Sequence, residues 1–326
     1  MFIVTGGAGF IGSNLVAVLE ERGLEPITIV DHAESDHKTR NIAKRRAERV
    51  PPEYLTAHLA EIGTDVKGVF HLGALTSTTE RDVAKLTEIN VHLSRYLWRW
   101  CAKHNVPLIY ASSAATYGDG KLGFKDDDSL AALAHLHPLN PYGQSKHSFD
   151  LWVAEQVARN EPAPPRWAGV KFFNVYGPNE FHKGTQASLV PQVFAKASKG
   201  EPYPLFRSHN PAYADGGQLR DFIFVEDCCE VLLWLYELAP ANGIFNLGTG
   251  KARSFLDLAS AVYGALGKEP AITWRDTPED IRGQYQYFTE ARMERLRGLG
   301  YNAPFTPLEV GVAKTVKILS QPDPYR

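Results

Sequence analysis

The sequence predicts an α/β fold in which a doubly wound parallel sheet carries a smaller, discontinuous C-terminal lobe. Short apolar segments alternate with helical segments from residue 1 to about residue 176, as expected for a parallel sheet with helices on both faces. A glycine-rich turn follows the first apolar segment and opens the first helical one. The alternation loosens after Gly177. We therefore predict a sheet domain of residues 1–176 and 222–259, and a lobe of residues 177–221 and 260–326.

The individual elements follow from residue type and spacing. The predicted strands are FIVT, PITIVD, VKGVFHLGA, VPLIYASS and WAGVKFFNVYG. The clearest helices cover residues 82–104 and 143–160, where apolar residues recur at helical spacing. Strand and helix resume in LRDFIFVEDCCEVLLWLYEL, and GIFNLGTG is a further strand and turn. The basic segment KRRAERV (44–50) is interpreted as the solvated face of a helix.

Composition excludes several classes of partner. The chain has 326 residues, of which 44% are hydrophobic and 22% charged, typical of a soluble globular protein. The net charge of −2 gives no general attraction to nucleic acid or anionic lipid. The segment MFIVTGG does not resemble a signal peptide, and no apolar run approaches ~18 residues. Its 3 cysteines lack metal-ligand spacing. We expect a cytoplasmic protein with no metal, nucleic-acid partner or membrane association.

The glycine-rich turn predicts a dinucleotide site. In TGGAGFIG, Gly6 permits the tight turn, Gly9 lets a pyrophosphate approach the backbone, and Gly12 lets the helix pack on the strand. The phosphates would lie at a helix N-terminus, where free N–H groups and the helix dipole favour anions. Asp31 ends the next strand, 19 residues after Gly12, which completes the Rossmann-type pattern.

The residues after the second strand leave the choice of dinucleotide open. Asp31 can accept hydrogen bonds from both ribose hydroxyls, which suits NAD. Lys38 and Arg40 lie just beyond and could hold a 2′-phosphate, which suits NADP.

The segment YGQSK predicts the site of hydride transfer. Tyr142 and Lys146 are four residues apart at the start of a helix, so both side chains lie on one face. The phenol is a poor base at neutral pH, but a nearby ammonium and a positive nicotinamide favour its phenolate. Ser113, at the end of the strand in YASSAATYG, can hydrogen-bond the reacting hydroxyl or carbonyl.

Taken together, these motifs resemble the extended, sugar-nucleotide-modifying branch of the short-chain dehydrogenase/reductase superfamily. TGGAGFIG, YASSAATYG, NPYGQSK, FFNVYGP, RDFIFVED and FNLGTG occur in the order that this branch uses. The resemblance implies a nucleotide-diphosphate sugar bound in the C-terminal lobe and oxidised at one carbon. SSAATYG lacks the acid pair of the 4,6-dehydratases, and the local sequence lacks the cysteine of the 3,5-epimerising reductases.

Lys183, in NEFHKGTQ, suggests a second acid/base group. Oxidation of an exocyclic carbon would give an aldehyde at the end of a rotatable bond. Rotation about this bond presents the opposite face for reduction, and the oxygen then needs a different proton donor. A buried lysine can serve, because desolvation disfavours its ammonium form.

FFNVYGPNEFHKGTQAS, HLGALTSTTE (71–80) and GQYQYFT (283–289) resemble the ADP-glyceromanno-heptose 6-epimerases, isomerases that make a lipopolysaccharide precursor. The resemblance implies an ADP-heptose substrate, NADP as cofactor with NAD as the alternative, and a homo-oligomer, a homopentamer if the family pattern holds. Lys183 matches the family's second catalytic base, beside Tyr142, Lys146 and Ser113.

Further positions are implied by the same resemblance. The cofactor contacts that it implies, besides the glycines, are Phe10, Ile11, Asp31, His32, Lys38, Leu72, Gly73, Ala74, Thr76, Asn90, Tyr142, Lys146, Val175 and Lys183. The implied substrate contacts are Asn174, Thr185, Gln192, Phe206, Ser208, Arg220 and Tyr285. Gln192 and Thr185 depart from the family's histidine and serine. The loop SHNPAYADGGQ before Arg220 is long, and the stretch between Asp31 and His71 is short.

Two alternatives to C6 epimerisation remain at this point. One is a 4-epimerase or reductase that acts on another nucleotide sugar. The other is a non-catalytic protein that senses a dinucleotide and regulates a partner; proteins of that kind often lack the tyrosine or the lysine, both of which are present here.

Overall fold

The computed structural model describes residues 1–32, 35–77, 80–282 and 285–326. Its strands are β1 (Phe2–Thr5), β2 (Ile27–Val30), β3 (Glu48–Val50), β4 (Gly68–His71), β5 (Leu108–Ser113), β6 (Trp167–Phe172), β7 (Asn174–Tyr176), β8 (Tyr203–Phe206), β9 (Leu219–Arg220), β10 (Phe222–Phe224), β11 (Gly243–Leu247), β12 (Arg253–Ser254) and β13 (Ile272–Arg275). Thr78, Thr79, Gly283 and Gln284, which belong to two of the motifs above, lie outside the described residues.

Helices connect these strands. They are α1 (Phe10–Glu21), α2 (Asp36–Asn41), α3 (Leu55–Ile62), α4 (Val83–Leu86), α5 (Leu93–His104), α6 (Leu130–Ala134), α7 (Pro141–Ala158), α8 (Leu189–Ala197), α9 (Val225–Glu237), α10 (Phe255–Ala265), α11 (Glu279–Arg282), α12 (Glu294–Gly298) and α13 (Leu308–Leu319). A π-helical segment, Thr87–His92, joins α4 to α5. The 3-10 segments are Pro52–Tyr54, Gly63–Asp65, Ala114–Tyr117 and Phe181–Gln186.

Seven of the described strands form one parallel sheet. Its order is β11-β6-β5-β4-β1-β2-β3. The chain builds outward from β1 through β2 to β3, then returns to place β4 on the other side of β1. Ligands of such sheets bind where the strand order reverses, beyond the carboxyl ends of the strands. The predicted fold class is therefore confirmed, and a ligand is expected beyond the carboxyl ends of β1 and β4.

Both faces of the sheet are buried, and neighbouring strand residues point to opposite faces. Val4, Phe70 and Ile109 face a core that includes residues of α1 and α9. Their neighbours Ile3 and Val69 face a second core formed with α3, α5 and α7. These apolar strands have the composition expected of a parallel sheet that is covered twice.

A third core lies outside the sheet. It joins α8, α10 and α13 with β8 and β10 through residues such as Val190, Leu205, Leu258 and Val312. β8 and β13 pair with each other and form no part of the large sheet. Segments that are distant in the sequence therefore pack together here. The domain boundaries given above stay a prediction.

Two local predictions need correction. The helix predicted over 82–104 is interrupted in its first half by the π-helical segment, which turns Asn90 inward. The segment 44–50 is not a helix face, because its last three residues form β3 at the edge of the sheet. Exposed charged side chains such as Glu48 and Arg49 are common on edge strands, where they discourage pairing with another chain. Within the described residues, no helix has the length and apolar character needed to cross a bilayer.

The packing of α1 on β1 depends on Gly12. A Cβ atom at this position would lie 2.2 Å from the carbonyl oxygen of Gly6. We predict that Gly12→Ala lowers the free energy of unfolding by about 1–3 kcal/mol, because the backbone must shift to admit the methyl group. Urea denaturation measures the change. Gly264→Ala in α10 is the control, since its Cβ would meet no atom within 4 Å; equal effects of the two substitutions would contradict the prediction.

Candidate active site

The first turn of α1 leaves room for an anion. Gly6 has a φ of +68°, in the left-handed region that glycine favours. Within the described part of the chain, a Cβ on Gly9 would meet only the Gly6 carbonyl oxygen, at 3.1 Å. The N–H groups of Phe10 and Ile11 lie in the first turn and so have no acceptor within the helix, and no described side chain caps this end. This cradle fits the pyrophosphate of a dinucleotide.

The loops that follow β1 and β4 touch each other. A Cβ on Gly6 would lie 2.6 Å from the backbone nitrogen of Gly73. The Gly73 N–H donates to Thr5 Oγ1 at 3.1 Å. Of the predicted cofactor contacts, Leu72, Ala74 and Thr76 lie in the same loop after β4 and are partly or fully exposed. The contact brings the two predicted walls of the cofactor site together.

His71, the last residue of β4, forms hydrogen bonds through both ring nitrogens. Ser94 Oγ donates its one proton to the Asn90 carbonyl at 2.7 Å, so it accepts from His71 Nε2 at 2.8 Å. His71 Nδ1 is then left to accept from Thr5 Oγ1 at 2.7 Å. Burial, with a smaller contribution from the charge of Lys146, lowers the pKa of His71 to about 3. The imidazole is therefore neutral, with its proton on Nε2.

Asn90 connects the loop after β4 to the start of α7. Its Oδ1 accepts from the Leu75 N–H at 2.8 Å, and its Nδ2 donates to the Leu75 carbonyl at 3.0 Å. Nδ2 also donates to Ser145 Oγ at 2.9 Å, and Ser145 Oγ donates to the Tyr142 carbonyl at 2.7 Å. The amide of Asn90 thus positions other elements, and its direct contact with the cofactor stays a prediction.

Asp31 lies beside the glycine turn, as its spacing suggested. Its Oδ2 accepts from the Ala8 N–H at 3.0 Å. Its Oδ1 lies 2.7 Å from Lys38 Nζ. The carboxylate is almost buried while Lys38 keeps 29% of its side chain exposed, so a lysine is available at the position predicted for the adenosine ribose.

Arg40 and His32 point elsewhere. Arg40 pairs with Asp323 at 3.2 Å, and its guanidinium lies over the ring of Tyr325 at 4.4 Å. His32 is exposed, with Nδ1 at 3.9 Å from Glu53 Oε2. Of the two cations considered for a 2′-phosphate, Lys38 is therefore the one that neighbours Asp31.

Three of the four predicted catalytic residues, Tyr142, Lys146 and Ser113, lie near the carboxyl end of β5. Ser113 lies close enough to Tyr142 for its side chain to favour the phenolate. Lys146 Nζ donates to the Ala111 carbonyl at 3.0 Å. A Cβ on Gly143 would lie 2.9 Å from the Ala115 carbonyl oxygen, so the glycine after Tyr142 allows α7 to approach the end of β5 closely.

Burial shifts the pKa values of this pair in opposite directions. It raises the pKa of the Tyr142 phenol, and the hydrogen bond from Ser113 opposes this effect. It lowers the pKa of Lys146 to about 8, although the charge of Asp150 opposes this change. A positive charge near Tyr142 would lower the pKa of the phenol again, which is what a bound nicotinamide cation would supply.

A buried ionic network lies between α7 and the strands β5 and β6. Asp150, one turn beyond the lysine of the pair, lies 3.2 Å from Lys171 Nζ, and both side chains are at most 1% exposed. Ser112 Oγ donates to Asp150 at 2.6 Å, and Tyr110 OH donates at 3.3 Å. Lys171 Nζ donates to Thr116 Oγ1 at 2.6 Å. Every charge in this network has partners, as burial requires.

Lys183 lies in the 3-10 segment Phe181–Gln186. Its ammonium is 5.1 Å from the centroid of the Phe10 ring, at the first turn of α1. The sequence argument expected a buried lysine, but 27% of this side chain is exposed. Glu180 Oε2 lies 3.7 Å from Lys183 Nζ. The expectation of desolvation is therefore wrong in degree, and a carboxylate has to be included in any account of this lysine.

Arg220 has the features of an anion receptor. Its guanidinium lies 5.6 Å from the ring of Tyr285 and 5.5 Å from the ring of Phe255. Its one hydrogen bond within the described residues is to the Leu219 carbonyl, and none of their carboxylates lies within 4.0 Å of it. Neighbouring Asp221 instead accepts from backbone N–H groups. Burial lowers the pKa of Arg220, and an anion would compensate this charge.

The other predicted substrate contacts differ in how available they are. Phe206 packs edge-on to Tyr285 at 6.3 Å, beside the arginine. Ser208 Oγ donates to the Asn210 carbonyl at 2.8 Å, within its own loop. Asn174 and Val175 lie on β7 next to the sheet and pair with β10.

Gln192 and Thr185, the two departures from the family pattern, behave differently. Gln192 Nε2 donates to the Ala187 carbonyl at 2.8 Å, and Tyr203 OH donates to Gln192 Oε1 at 3.3 Å. Its amide therefore holds α8 and β8 together. Thr185 is exposed. The substrate contacts of both residues stay predictions.

Several supporting residues were missed at the level of sequence. Asp150 lies four residues after Lys146, and Glu180 three residues before Lys183, so helical spacing could have identified both. His71 ends a strand at the switch point, which is a signal of position only. The role of Lys171 had no local signal, because its partner lies on a different element.

The buried neutral His71 makes stability depend on pH. Its folded pKa of about 3 lies below the unfolded value of 6.5, so its contribution is complete above pH 6.5 and is lost as the pH falls toward 3. We predict that His71→Gln reduces the slope of unfolding free energy against pH, between pH 6.5 and 5, by up to about 1.4 kcal/mol per unit. Urea denaturation at several pH values measures it. The control is the exposed His92→Gln; an unchanged slope in His71→Gln would contradict the prediction.

Comparison with known proteins agrees with this geometry. The model of the NAD dependent epimerase/dehydratase family matches residues 2–248. A protein of Nitratidesulfovibrio vulgaris (strain DP4) named ADP-L-glycero-D-manno-heptose-6-epimerase is 48% identical over 330 residues, covering 100% of both chains. A protein of the same name from Fusobacterium nucleatum is 42% identical over 335 residues, again covering 100% of both.

Solved structures show the same relationship. The ADP-L-glycero-D-manno-heptose-6-epimerase of Helicobacter pylori superposes with a TM-score of 0.77 at 27% identity, over 95% of this chain and 93% of that one. The UDP-glucose 4-epimerase of Thermotoga maritima gives 0.78 at 26% identity, over 97% of each chain. The identities of 48% and 42% to the full-length relatives of Nitratidesulfovibrio vulgaris and Fusobacterium nucleatum are higher than the identities to these two solved structures. The chain therefore belongs to the NAD dependent epimerase/dehydratase family and, within it, to the ADP-L-glycero-D-manno-heptose-6-epimerases.

Proposed function

We propose that the protein converts ADP-D-glycero-D-manno-heptose to ADP-L-glycero-D-manno-heptose by transient oxidation at C6. The observation that carries the proposal is a second ionisable group, Lys183. It lies in the 3-10 segment beside the first turn of α1, on a different element from Tyr142. A reaction in which one oxygen changes direction between oxidation and reduction requires two such groups. The full-length relatives named for this activity support the same reaction.

We propose NADP as the cofactor, with NAD as the alternative. The glycine cradle of α1 fits either dinucleotide. The ammonium of Lys38, 2.7 Å from Asp31, supports NADP because it supplies a positive charge where a 2′-phosphate would lie. The cytoplasmic location and the homo-oligomeric state stay predictions.

Tyr142 begins the conversion as the base. A bound nicotinamide dinucleotide supplies the acceptor for the C6 hydride and, once reduced, the donor that returns it. Tyr142 takes the hydroxyl proton while Ser113 holds the oxygen by a hydrogen bond. Lys146, anchored on the Ala111 carbonyl, provides the nearby positive charge that favours the phenolate.

The oxidised centre is a ketone and not the aldehyde expected from the sequence. A heptose has seven carbons, so C6 carries C7 as well as C5. Rotation about the C5–C6 bond still presents the opposite face of the carbonyl to the same cofactor. The oxygen then points away from Tyr142, and Lys183 donates the proton that completes the inverted hydroxyl.

Arg220 would hold the pyrophosphate of the sugar nucleotide. A guanidinium matches paired phosphate oxygens, and this one has no carboxylate partner among the described residues. We predict that Arg220→Met raises KM by about 10- to 100-fold, with a smaller effect on kcat, because binding is lost in ground and transition states alike. Steady-state kinetics measure both constants. The exposed Arg292→Met is the control, and an unchanged KM in Arg220→Met would exclude this role.

A 4-epimerase or reductase acting on another nucleotide sugar is the alternative. A 4-epimerase needs one acid/base group, because the whole ketosugar turns over between the two steps. It offers no use for Lys183. The reductases that epimerise through a cysteine are not supported either, since Cys101, Cys228 and Cys229 are buried and burial raises their pKa values.

The deciding experiment follows C6 of ADP-D-glycero-D-manno-heptose by proton NMR, first with purified protein alone, then with NADP+ or NAD+ added. We expect a mixture of both C6 epimers. Lys183→Met should reduce turnover by about 10²–10⁴-fold, because one direction of the oxygen then has no proton donor. The exposed Lys199→Met should behave as the wild type. Absence of conversion with either cofactor would remove the heptose assignment, and full activity of Lys183→Met would favour the 4-epimerase.

A further inference from the structure

Glu180 is a buried carboxylate that the reaction described above does not use. Its side chain is 1% exposed, yet it lies 3.7 Å from Lys183 Nζ. Oε1 accepts from the Gly177 N–H at 3.2 Å and from Ser188 Oγ at 2.6 Å. Oε2 accepts from the Ser188 N–H at 2.7 Å and faces the ammonium. Burial raises the pKa of the Glu180 carboxyl, whereas the charge of Lys183 and the hydrogen bonds from Ser188 and Gly177 oppose this change. Each of these neighbours is a donor or a cation, which favours the ionised carboxylate.

The position of Glu180 relative to Lys183 is fixed by the backbone. The Lys183 N–H donates to the Glu180 carbonyl at 2.9 Å, so the two residues share one turn. Asn179, just before them, has a φ of +71° and donates from Nδ2 to Ser13 Oγ at 3.0 Å. This anchors the turn to α1. The ammonium is thus held between the Glu180 carboxylate and the ring of Phe10.

The remaining charges around Lys183 do not replace Glu180. His182 is adjacent, and burial, followed by the charges of Lys38 and Lys183, lowers its pKa to about 4, so it is neutral at physiological pH. Lys38 is paired with Asp31 on the neighbouring element. Among the described residues, Glu180 is the carboxylate within 4.0 Å of the Lys183 ammonium.

The two-group reaction requires one proton to be shared between Tyr142 and Lys183. Conversion of the D epimer starts with a phenolate and an ammonium and ends with a phenol and an amine. Conversion of the L epimer starts from the second arrangement, which holds the same number of protons. The proton must return between turnovers in one direction. A group that stabilises one arrangement therefore decides which of the two residues holds the shared proton in the resting site.

We propose that Glu180 is a positioning residue that keeps Lys183 as an ammonium in the resting site, so that Lys183 starts as the acid and Tyr142 as the base. The inference rests on the proposed two-group function. An anion beside an ammonium favours the charged form. The same carboxylate fixes the direction of the ammonium, because the Gly177 and Ser188 bonds hold it in place.

The test is the pH dependence of kcat/KM in Glu180→Gln. Removing the charge takes away the anion 3.7 Å from the Lys183 ammonium and so disfavours its charged form; at least one limb of the bell-shaped profile should then move toward acid by about 1–2 units, and neither should move toward alkali. Ser188→Ala is the matched control. It removes one hydrogen bond to the same carboxylate but keeps its charge, so it should leave both limbs in place.

A second measurement does not require that Glu180→Gln folds. With lysine labelled at ¹³Cε, the Lys183 signal, assigned by its absence in Lys183→Met, should have the chemical shift of an ammonium at neutral pH in the wild-type protein. An amine shift overturns the proposal, as do unmoved limbs in a folded Glu180→Gln. If Lys183→Met is inactive in either case, the proposed function stands without this role for Glu180. If Lys183→Met is fully active, the proposed function itself fails.

Discussion

The contact between two strand-end loops at the switch point of the sheet determines how the rest of the site is arranged. Gly6 and Gly73 approach so closely that a Cβ on Gly6 would lie 2.6 Å from the Gly73 nitrogen and a Cβ on Gly73 would lie 3.0 Å from the Gly6 nitrogen. Thr5, directly before Gly6, donates to His71, two residues before Gly73, and accepts from the Gly73 N–H. This arrangement places the carboxyl end of β1, which leads to the N–H groups at the start of α1, next to the loop after β4.

The same contact extends to α7, which carries Tyr142 and Lys146, through polar side chains. His71 donates a hydrogen bond to Ser94, and Ser94 donates to the Asn90 carbonyl. The side-chain amide of Asn90 connects the loop after β4 to Ser145. Ser145 lies between Tyr142 and Lys146. A displacement of the loop would therefore move the tyrosine relative to the cofactor cradle. The π-helical segment contributes to this connection, because it turns Asn90 inward, between the loop after β4 and α7.

The positions of residues that belong to one local motif were predictable from the sequence, whereas their roles stay predictions. The glycine turn and Asp31 follow from motifs at the ends of parallel strands, and the pair Tyr142 and Lys146 follows from a motif at the start of a helix. Residues that depend on a partner far along the chain were not predictable. Lys171 balances Asp150 across two elements, and β3 was taken for a helix because an edge strand with exposed charges lacks the apolar signal of a central strand.

The burial expected for Lys183 failed for a related reason. A motif identifies a residue type but not the charge beside it, and Glu180 contributes that charge from within the same turn. The turn is fastened to α1 through Asn179, which also accepts from the Arg326 N–H at 2.9 Å. Tyr142 is held by a separate set of contacts on α7. In the proposed reaction the oxygen turns from one proton partner to the other, so each partner must stay in place while the substrate moves. Two independently anchored elements would meet this requirement.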